Sequence, residues 1–198
     1  MRVGEGSAGM NVEFCFRVLS EIWVAGEILI LVFTTTWRGK GKIQDHGSQI
    51  LLWVVIIASF KVDDWLHRIY PVDMPGAGSW LRPLALGMMV AGLVLRAASV
   101  YTLGRAFSAN VAVRAGQQLK RDGLYALVRH PSYSGLEMIL LACGLHSRTW
   151  VCLAVILVPP TLAMLYRIHV EEDALRRAFG AEYDEYSRTR KRLIPGLY

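Results

Sequence analysis

"YSGLEMILLACGLHSRTWVCLAVILVPPTLAMLY", residues Tyr133 to Tyr166, is the stretch that decides the fold. It holds two apolar runs, Tyr133–Leu145 and Trp150–Tyr166, joined by the tight "HSRT". Both runs are predominantly apolar, and so short a link permits only a reversal. The spacing predicts a helical hairpin through a bilayer. A hairpin that goes out and comes back opens at both ends on one membrane face. There the polar groups crowd: Gln117, Tyr125, Arg129, His130 and Tyr133 before it, then Arg167, His169, Glu171 and Glu172 after it.

Working outward from the hairpin, the rest of the chain has the same character. Of its 198 residues 54% are hydrophobic and 19% charged, whereas about a quarter are charged in a soluble domain; the mean hydropathy is positive. A spanning helix needs roughly 20 mostly apolar residues. Three further candidates qualify: Phe14–Trp37, Ile50 to about Pro71, and Trp80–Leu103. Between them lie the basic, glycine-rich "RGKGKIQDHGSQ" and the turn "PVDMPGAGS". Residues 104–131 are mixed, with three glycines and five basic residues, and accommodate no span. The tail "EEDALRRAFGAEYDEYSRTRKR" is acidic at its start and basic at its end, the order a helix dipole favours.

The predicted fold is therefore all-α and integral to the membrane. It has five transmembrane helices, a C-terminal helical hairpin, a cytoplasmic loop, to which the resemblance described below gives the part of a cofactor loop, and a cytoplasmic C-terminal helix. Residues 1–198 form one domain, with a three-helix part at 14–103 and a part at 104–198 to which the same resemblance gives the catalysis. With five spans, the loops at 38–48 and 104–131 share one side with the tail and carry nearly all the loop Arg and Lys. The positive-inside rule then puts the active site and the C-terminus in the cytoplasm and the N-terminus outside. The start "MRVGEGSAGM" does not look like a cleaved signal, so it is expected to stay attached.

The formal charge is +6. A basic patch interleaved with long apolar runs fits a membrane face better than nucleic acid, and the lipid bilayer is the expected partner. Cys15, Cys143 and Cys152 are isolated and odd in number, with no metal-ligand spacing and no disulfide framework. No metal is expected. Arg17, Lys61, Asp63 and Arg96 read as groups that snorkel or sit near an interface. Glu27 and Glu137 lie deeper, where a polar cavity and a partner on another helix are equally open readings.

Arg167 and Glu171 are four apart, so on a helix they share a face and both can meet a ligand. "LGRAFSANV", "GQQLKRDGLYALVRHPSYSG" and "YRIHVEEDALRRAFGAEYDEYSRTRKRLIP" resemble, in order and spacing, the isoprenylcysteine carboxyl methyltransferase family. The resemblance covers about residues 103 to 198, and the compact chain suggests a prokaryotic member. It implies an integral membrane methyltransferase using S-adenosylmethionine (SAM), with S-adenosylhomocysteine as product. The implied acceptor is lipophilic, an isoprenylcysteine-like carboxylate.

By the same resemblance, Gln117, Gln118, Leu119 and Lys120 cradle the cofactor, and Tyr125, His130, Pro131, Ser132, Tyr133 and Glu171 contact it. Arg167 matches the arginine that meets the substrate's carboxylate, and Arg129 assists it in catalysis. Many members carry His where Gln117 stands and "FSH" where this chain has "FSA", with Ala109; Gln still donates and accepts. The chain ends "RLIPGLY" where many members show "TGxPF".

The residue types suit these roles. SAM carries a sulfonium, an ammonium and a carboxylate, so it needs acidic and basic partners together. Glu171 and Glu172 neutralise the cationic end, and Tyr125 and Tyr133 offer faces for adenine or sulfonium. No GxGxxG fingerprint is present. A carboxylate acceptor, with pKa near 3.5, is already ionised at neutral pH and needs no general base. An amine or thiol acceptor would need a proton removed, for which His130 or Glu172 is available, and this chemistry stays open. Two other classes also remain: an NADPH-dependent reductase of the sterol-reductase type, with "RAGQQLKR" holding the 2′-phosphate, and a non-catalytic membrane scaffold. The oligomeric state has no signature in the sequence.

Overall fold

The computed structural model describes residues 4–36, 47–69, 74, 78–104 and 118–198, with side chains of the first helix from 11 to 32. The expected loops at 38–46, most of the turn at 71–79, and residues 105–117, with Gln117 and Ala109, lie outside the described residues. Six α-helices follow in order: α1 (Gly4–Thr36), α2 (Ser48–Ile69), α3 (Leu81–Leu103), α4 (Pro131–His146), α5 (Trp150–Phe179) and α6 (Ala181–Thr189). A short 3₁₀ turn, Gly123–Ala126, precedes α4. There is no β-sheet among the described residues, only an isolated bridge between Val128 and Lys191.

Helices α2 and α3 each bury one stripe and expose another, whereas no residue of α4 is exposed. On α2 the buried positions are Ser48, Leu52, Ile56 and Ser59, while Ile50, Val54 and Ile57 are exposed. On α3 they are Leu81, Ala85, Met89, Gly92, Arg96 and Ser99, with Val90 and Val94 exposed. The periods of three and four are those of one helical face. Exposed apolar side chains on the outer faces of α1, α2, α3 and α5 form a surface that water would not tolerate at this extent. Two described helices, Leu81–Leu103 and Trp150–Phe179, are both long and apolar enough to cross a membrane.

The hairpin is formed by α4 and α5, and its return helix is longer than expected. Rather than stopping at Tyr166, α5 runs unbroken for 30 residues to Phe179, roughly 45 Å at 1.5 Å per residue. The hydrocarbon core is about 30 Å thick. The last turns, with Arg167, Glu171 and Glu172, are thus carried past the apolar segment on the same helix, which continues through Pro159 and Pro160. Gly180, at φ 54°, then ends α5 and starts α6.

Helices α3 and α4 approach until their backbones touch. A Cβ on Gly135 would lie 2.8 Å from the Arg96 nitrogen and from the Gly92 oxygen, and one on Gly92 would lie 2.8 Å from the Gly135 oxygen. Only hydrogen fits at these two positions. The close approach lets Arg96 Nη1 reach the carbonyl of Ser132 at 3.1 Å and its hydroxyl at 3.0 Å. Replacement of Gly135 by Ala should therefore cost about 1–3 kcal/mol by overpacking. Gly87 on α3 has open space around it, and Gly87→Ala should be neutral or slightly stabilising. Thermal melts of the detergent-purified variants separate the two; equal melting points would rule out the backbone contact.

Candidate active site

The site is built where the N-terminus of α4 meets the C-terminal extension of α5. Pro131, at the first helical position, starts α4 and leaves His130 outside it as the N-cap. The backbone N–H groups of Tyr133 and Ser134 bond the His130 carbonyl at 3.0 and 3.1 Å. The C-terminal tail lies along this loop: Arg129 and His130 donate their N–H groups to the carbonyls of Lys191 and Arg192 at 2.8 and 2.9 Å. Ser134 Oγ donates to the Leu193 carbonyl at 2.6 Å.

The two polar clusters flanking the hairpin do meet. Arg167 Nε donates to Tyr133 Oη at 2.8 Å, and Tyr133 Oη donates to Glu171 Oε2 at 2.9 Å. Arg167 Nη1 donates to Ser48 Oγ at 2.9 Å, which ties α5 to the start of α2. Arg167, Glu171, Tyr133, Arg129, His130, Ser132 and Tyr125 all line one polar cavity of about 70 Å³. Tyr125 is buried, its carbonyl accepting from Tyr186 Oη at 2.6 Å. Burial, reinforced by the Glu171 charge, holds its phenol well above the ordinary value, so it is a neutral hydroxyl at physiological pH.

Other expected site residues lie elsewhere. Gln118 is exposed, Leu119 and Lys120 are half-buried, and none of the three lines the cavity. Lys120 pairs with Asp122 and Arg121 with Glu182, so the described basic residues of "RAGQQLKR" are engaged by carboxylates rather than arranged around a phosphate. Pro131 is buried and acts through the backbone.

Glu172 departs from its expected role as a ligand for the cationic end of the cofactor. It is fully buried and does not line the cavity. Its carboxylate is surrounded by Arg129 Nη1 at 2.7 Å, Arg192 Nη2 at 3.0 Å, His130 Nε2 at 3.3 Å and Arg176 Nη2 at 3.5 Å. Burial alone would raise its pKa. The hydrogen bonds from His130 and Arg192 and the charges of His130 and Arg129 outweigh that and bring it to about 2.

Two cavity residues escape a reading by sequence. Arg96 does not snorkel: it is buried, donates to Glu27 Oε2 from Nη2 at 2.6 Å and pairs with it again through Nε. An arginine in the middle of an apolar helix reaches neither interface, so a carboxylate on another helix is its remaining partner. Glu27 also accepts from Trp23 Nε1 at 3.2 Å and lines the cavity, so both readings of it hold at once. Its depth was the signal; its partner, far away in sequence, had none. Glu137 accepts from Thr161 Oγ1, a bond within the hairpin.

Next to the polar cavity lies an apolar cleft of about 740 Å³ between α1 and α2, lined among others by Trp23, Ile28, Trp53, Ile57 and Phe60. The two share Glu27, Leu31, Gln49 and Trp53 as walls.

The isoprenylcysteine carboxyl methyltransferase (ICMT) family model matches residues 85–177. A "probable protein-S-isoprenylcysteine O-methyltransferase" of Oryza sativa subsp. indica is 35% identical over 180 residues, covering 85% of this chain and 92% of that protein. The chain belongs to the isoprenylcysteine carboxyl methyltransferase family. Protein-S-isoprenylcysteine O-methyltransferase B of Arabidopsis thaliana is 29% identical over 188 residues, covering 87% of this chain and 90% of that protein. These relatives are plant proteins, whereas the compact chain suggested a prokaryotic source. The solved structure of the eukaryotic intramembrane Ras methyltransferase ICMT superposes with a TM-score of 0.71 at 20% identity, covering all of this chain and 70% of that one. The protein is thus an integral membrane methyltransferase with the all-helical ICMT fold, which sets aside the reductase and scaffold readings.

The charge arrangement makes a testable statement about acid stability. The ordinary carboxyl value is 4.5 and the folded value of Glu172 is about 2. Its contribution is fully present above pH 4.5 and is lost as pH falls towards 2. Glu172→Gln takes the carboxylate from Arg129 and Arg192, while Arg176 keeps Asp173 and Asp184, at a cost of about 3–5 kcal/mol. Thermal melts from pH 7 to 2.5 should show a lower midpoint for the variant at neutral pH and a flatter fall in acid; parallel curves would contradict the assignment.

Proposed function

We propose that the polar cavity binds the methionyl end of SAM and that the apolar cleft receives the isoprenoid chain of the acceptor, an isoprenylcysteine-like carboxylate. The observation that carries this reading is the shared wall: the polar cavity and the apolar cleft have Glu27, Leu31, Gln49 and Trp53 in common. The donor set fits the cofactor. Glu171, partly exposed to the cavity, suits the ammonium or sulfonium, and Arg129 and His130 suit the carboxylate. Ligand pockets run to about 300–1,000 Å³, so the narrow cavity holds part of the cofactor and the remainder lies outside it, with Gln117, Gln118, Leu119 and Lys120 as proposed contacts. When bound, the cofactor supplies an electrophilic methyl group.

The chain's residues then have simple tasks. Arg167, held on two sides by Tyr133 and Ser48, orients the acceptor carboxylate, with Arg129 nearby as a second cation. No residue needs to remove a proton, because the acceptor is ionised at neutral pH. Catalysis comes from holding the oxygen in line and out of water. The single domain, its division into parts at 14–103 and 104–198, and five spans with the N-terminus outside belong to this proposal. Its support is that α2 begins, α4 begins and the apolar part of α5 ends at the same face, the one carrying the basic loops.

Calorimetry with S-adenosylhomocysteine on the detergent-purified protein is the test. Wild type should bind; Glu171→Ala should lose binding at least tenfold. Arg167→Lys should retain binding within a few-fold while methyl transfer to a farnesylcysteine analogue falls about a hundredfold. No binding by wild type, or full turnover by both variants, would overturn the assignment.

A further inference from the structure

At the end of the helix bundle away from the cavity, three metal-ligating side chains converge from two helices. Asp63 and His67 stand one turn apart on α2, and Cys152 is in the first turn of α5. His67 Nδ1 lies 3.5 Å from Cys152 Sγ and 3.7 Å from Asp63 Oδ1. All three donor atoms are within 4.8 Å of one another. Tetrahedral zinc, with bonds of about 2.3 Å to sulfur and 2.0–2.1 Å to nitrogen, holds a thiolate and an imidazole donor roughly 3.5 Å apart.

An ordinary i,i+4 ion pair accounts for Asp63 and His67, but it does not account for the thiol. Cys152 is 2% exposed, yet its sulfur meets an imidazole nitrogen at a helix end, unlike Cys143, which sits in the apolar core. The donors are also held in place. Thr149 caps α5 by accepting from the Cys152 N–H at 3.1 Å, and Ser147 Oγ donates to Asp63 Oδ1 at 3.2 Å. Supporting bonds of this kind orient metal ligands. The His67 side chain is 44% exposed, which leaves an entry route and room for a water as fourth ligand.

We propose that Asp63, His67 and Cys152 form a zinc-binding site, separate from the catalytic cavity and on the opposite face of the membrane domain. From Ser48 to Asp63 or His67, α2 rises roughly 22–28 Å. A thiolate, an imidazole and a carboxylate together suit a borderline-soft divalent ion and not calcium or magnesium. On binding, the thiol proton passes to solvent, and sulfur, nitrogen and oxygen each supply a lone pair. The ion joins α2 to α5, the helices whose other ends are joined by the Arg167–Ser48 bond.

The experiment is a zinc chloride titration, by calorimetry, of the full chain purified in detergent with a histidine-free tag and stripped with a chelator. One ion per chain should bind saturably, and cobalt(II) in its place should give a thiolate charge-transfer band. Cys152→Ser and His67→Gln should each weaken binding at least tenfold and abolish the zinc-induced rise in melting temperature seen with wild type. His67→Gln, at a half-exposed position, tests the ligand even if the buried cysteine variant folds poorly. S-adenosylhomocysteine binding by the variants should match wild type. No stoichiometric zinc in wild type, no charge-transfer band, or equal affinity in His67→Gln would overturn the site.

Discussion

The carboxylate of Glu172 is the point on which the catalytic end depends. It is fully buried, and cations reach it from the loop before α4, from α5 itself and from the C-terminal tail. Removing a carboxylate from water costs several kcal/mol, which only good geometry and full hydrogen bonding restore. Glu172 has both. By tying Arg129, His130 and Arg192 to one point, it closes the tail over the loop, an arrangement completed by the backbone bonds to Lys191 and Arg192. Its neighbour Glu171 is thereby the carboxylate that faces the cavity. Two adjacent glutamates on one helix thus take different roles because 100° of helical rotation separates them.

A second constraint shapes the membrane end of the cavity. Gly92 and Gly135 let α3 and α4 meet backbone to backbone, and that contact brings Arg96 to Ser132 and to Glu27 of α1. Glu27 of this ion pair stands at the wall shared by the polar cavity and the apolar cleft, and Arg96 lines only the polar cavity. Under the proposed function, a charged cofactor from water and a lipid chain from the bilayer would meet at this wall. Methyl transfer to an isoprenylcysteine, the reaction for which the chain's relatives are named, needs such a junction.

Much of this was legible in the residues. The tight "HSRT" between two apolar runs required a hairpin, and the hairpin required that Tyr133 and Arg167 end near each other; they are 2.8 Å apart. Arg167 and Glu171 share a face because four residues make about one turn. Arg96 departs from its sequence reading because a lone arginine in an apolar helix looks the same whether it reaches for an interface or for a buried partner. Glu172 was placed among the ligands because adjacency to Glu171 says nothing of which one points inward. The Asp63–His67–Cys152 group had only the i,i+4 pair on α2 to betray it, since Cys152 belongs to α5, far away in the chain.

The sequence by itself determined the apolar helices, the hairpin, the basic loops and the motifs that mark the family, because these follow from local hydrophobicity, short links and residue order. The tertiary structure decided which charges pair. Arg96 chose Glu27 across three helices, Arg192 of the tail chose Glu172, and Cys152 came to face His67. Inside a low-dielectric interior each charge must find a partner, and that partner is set by which helix faces pack together, a property of the assembled bundle that no single segment contains.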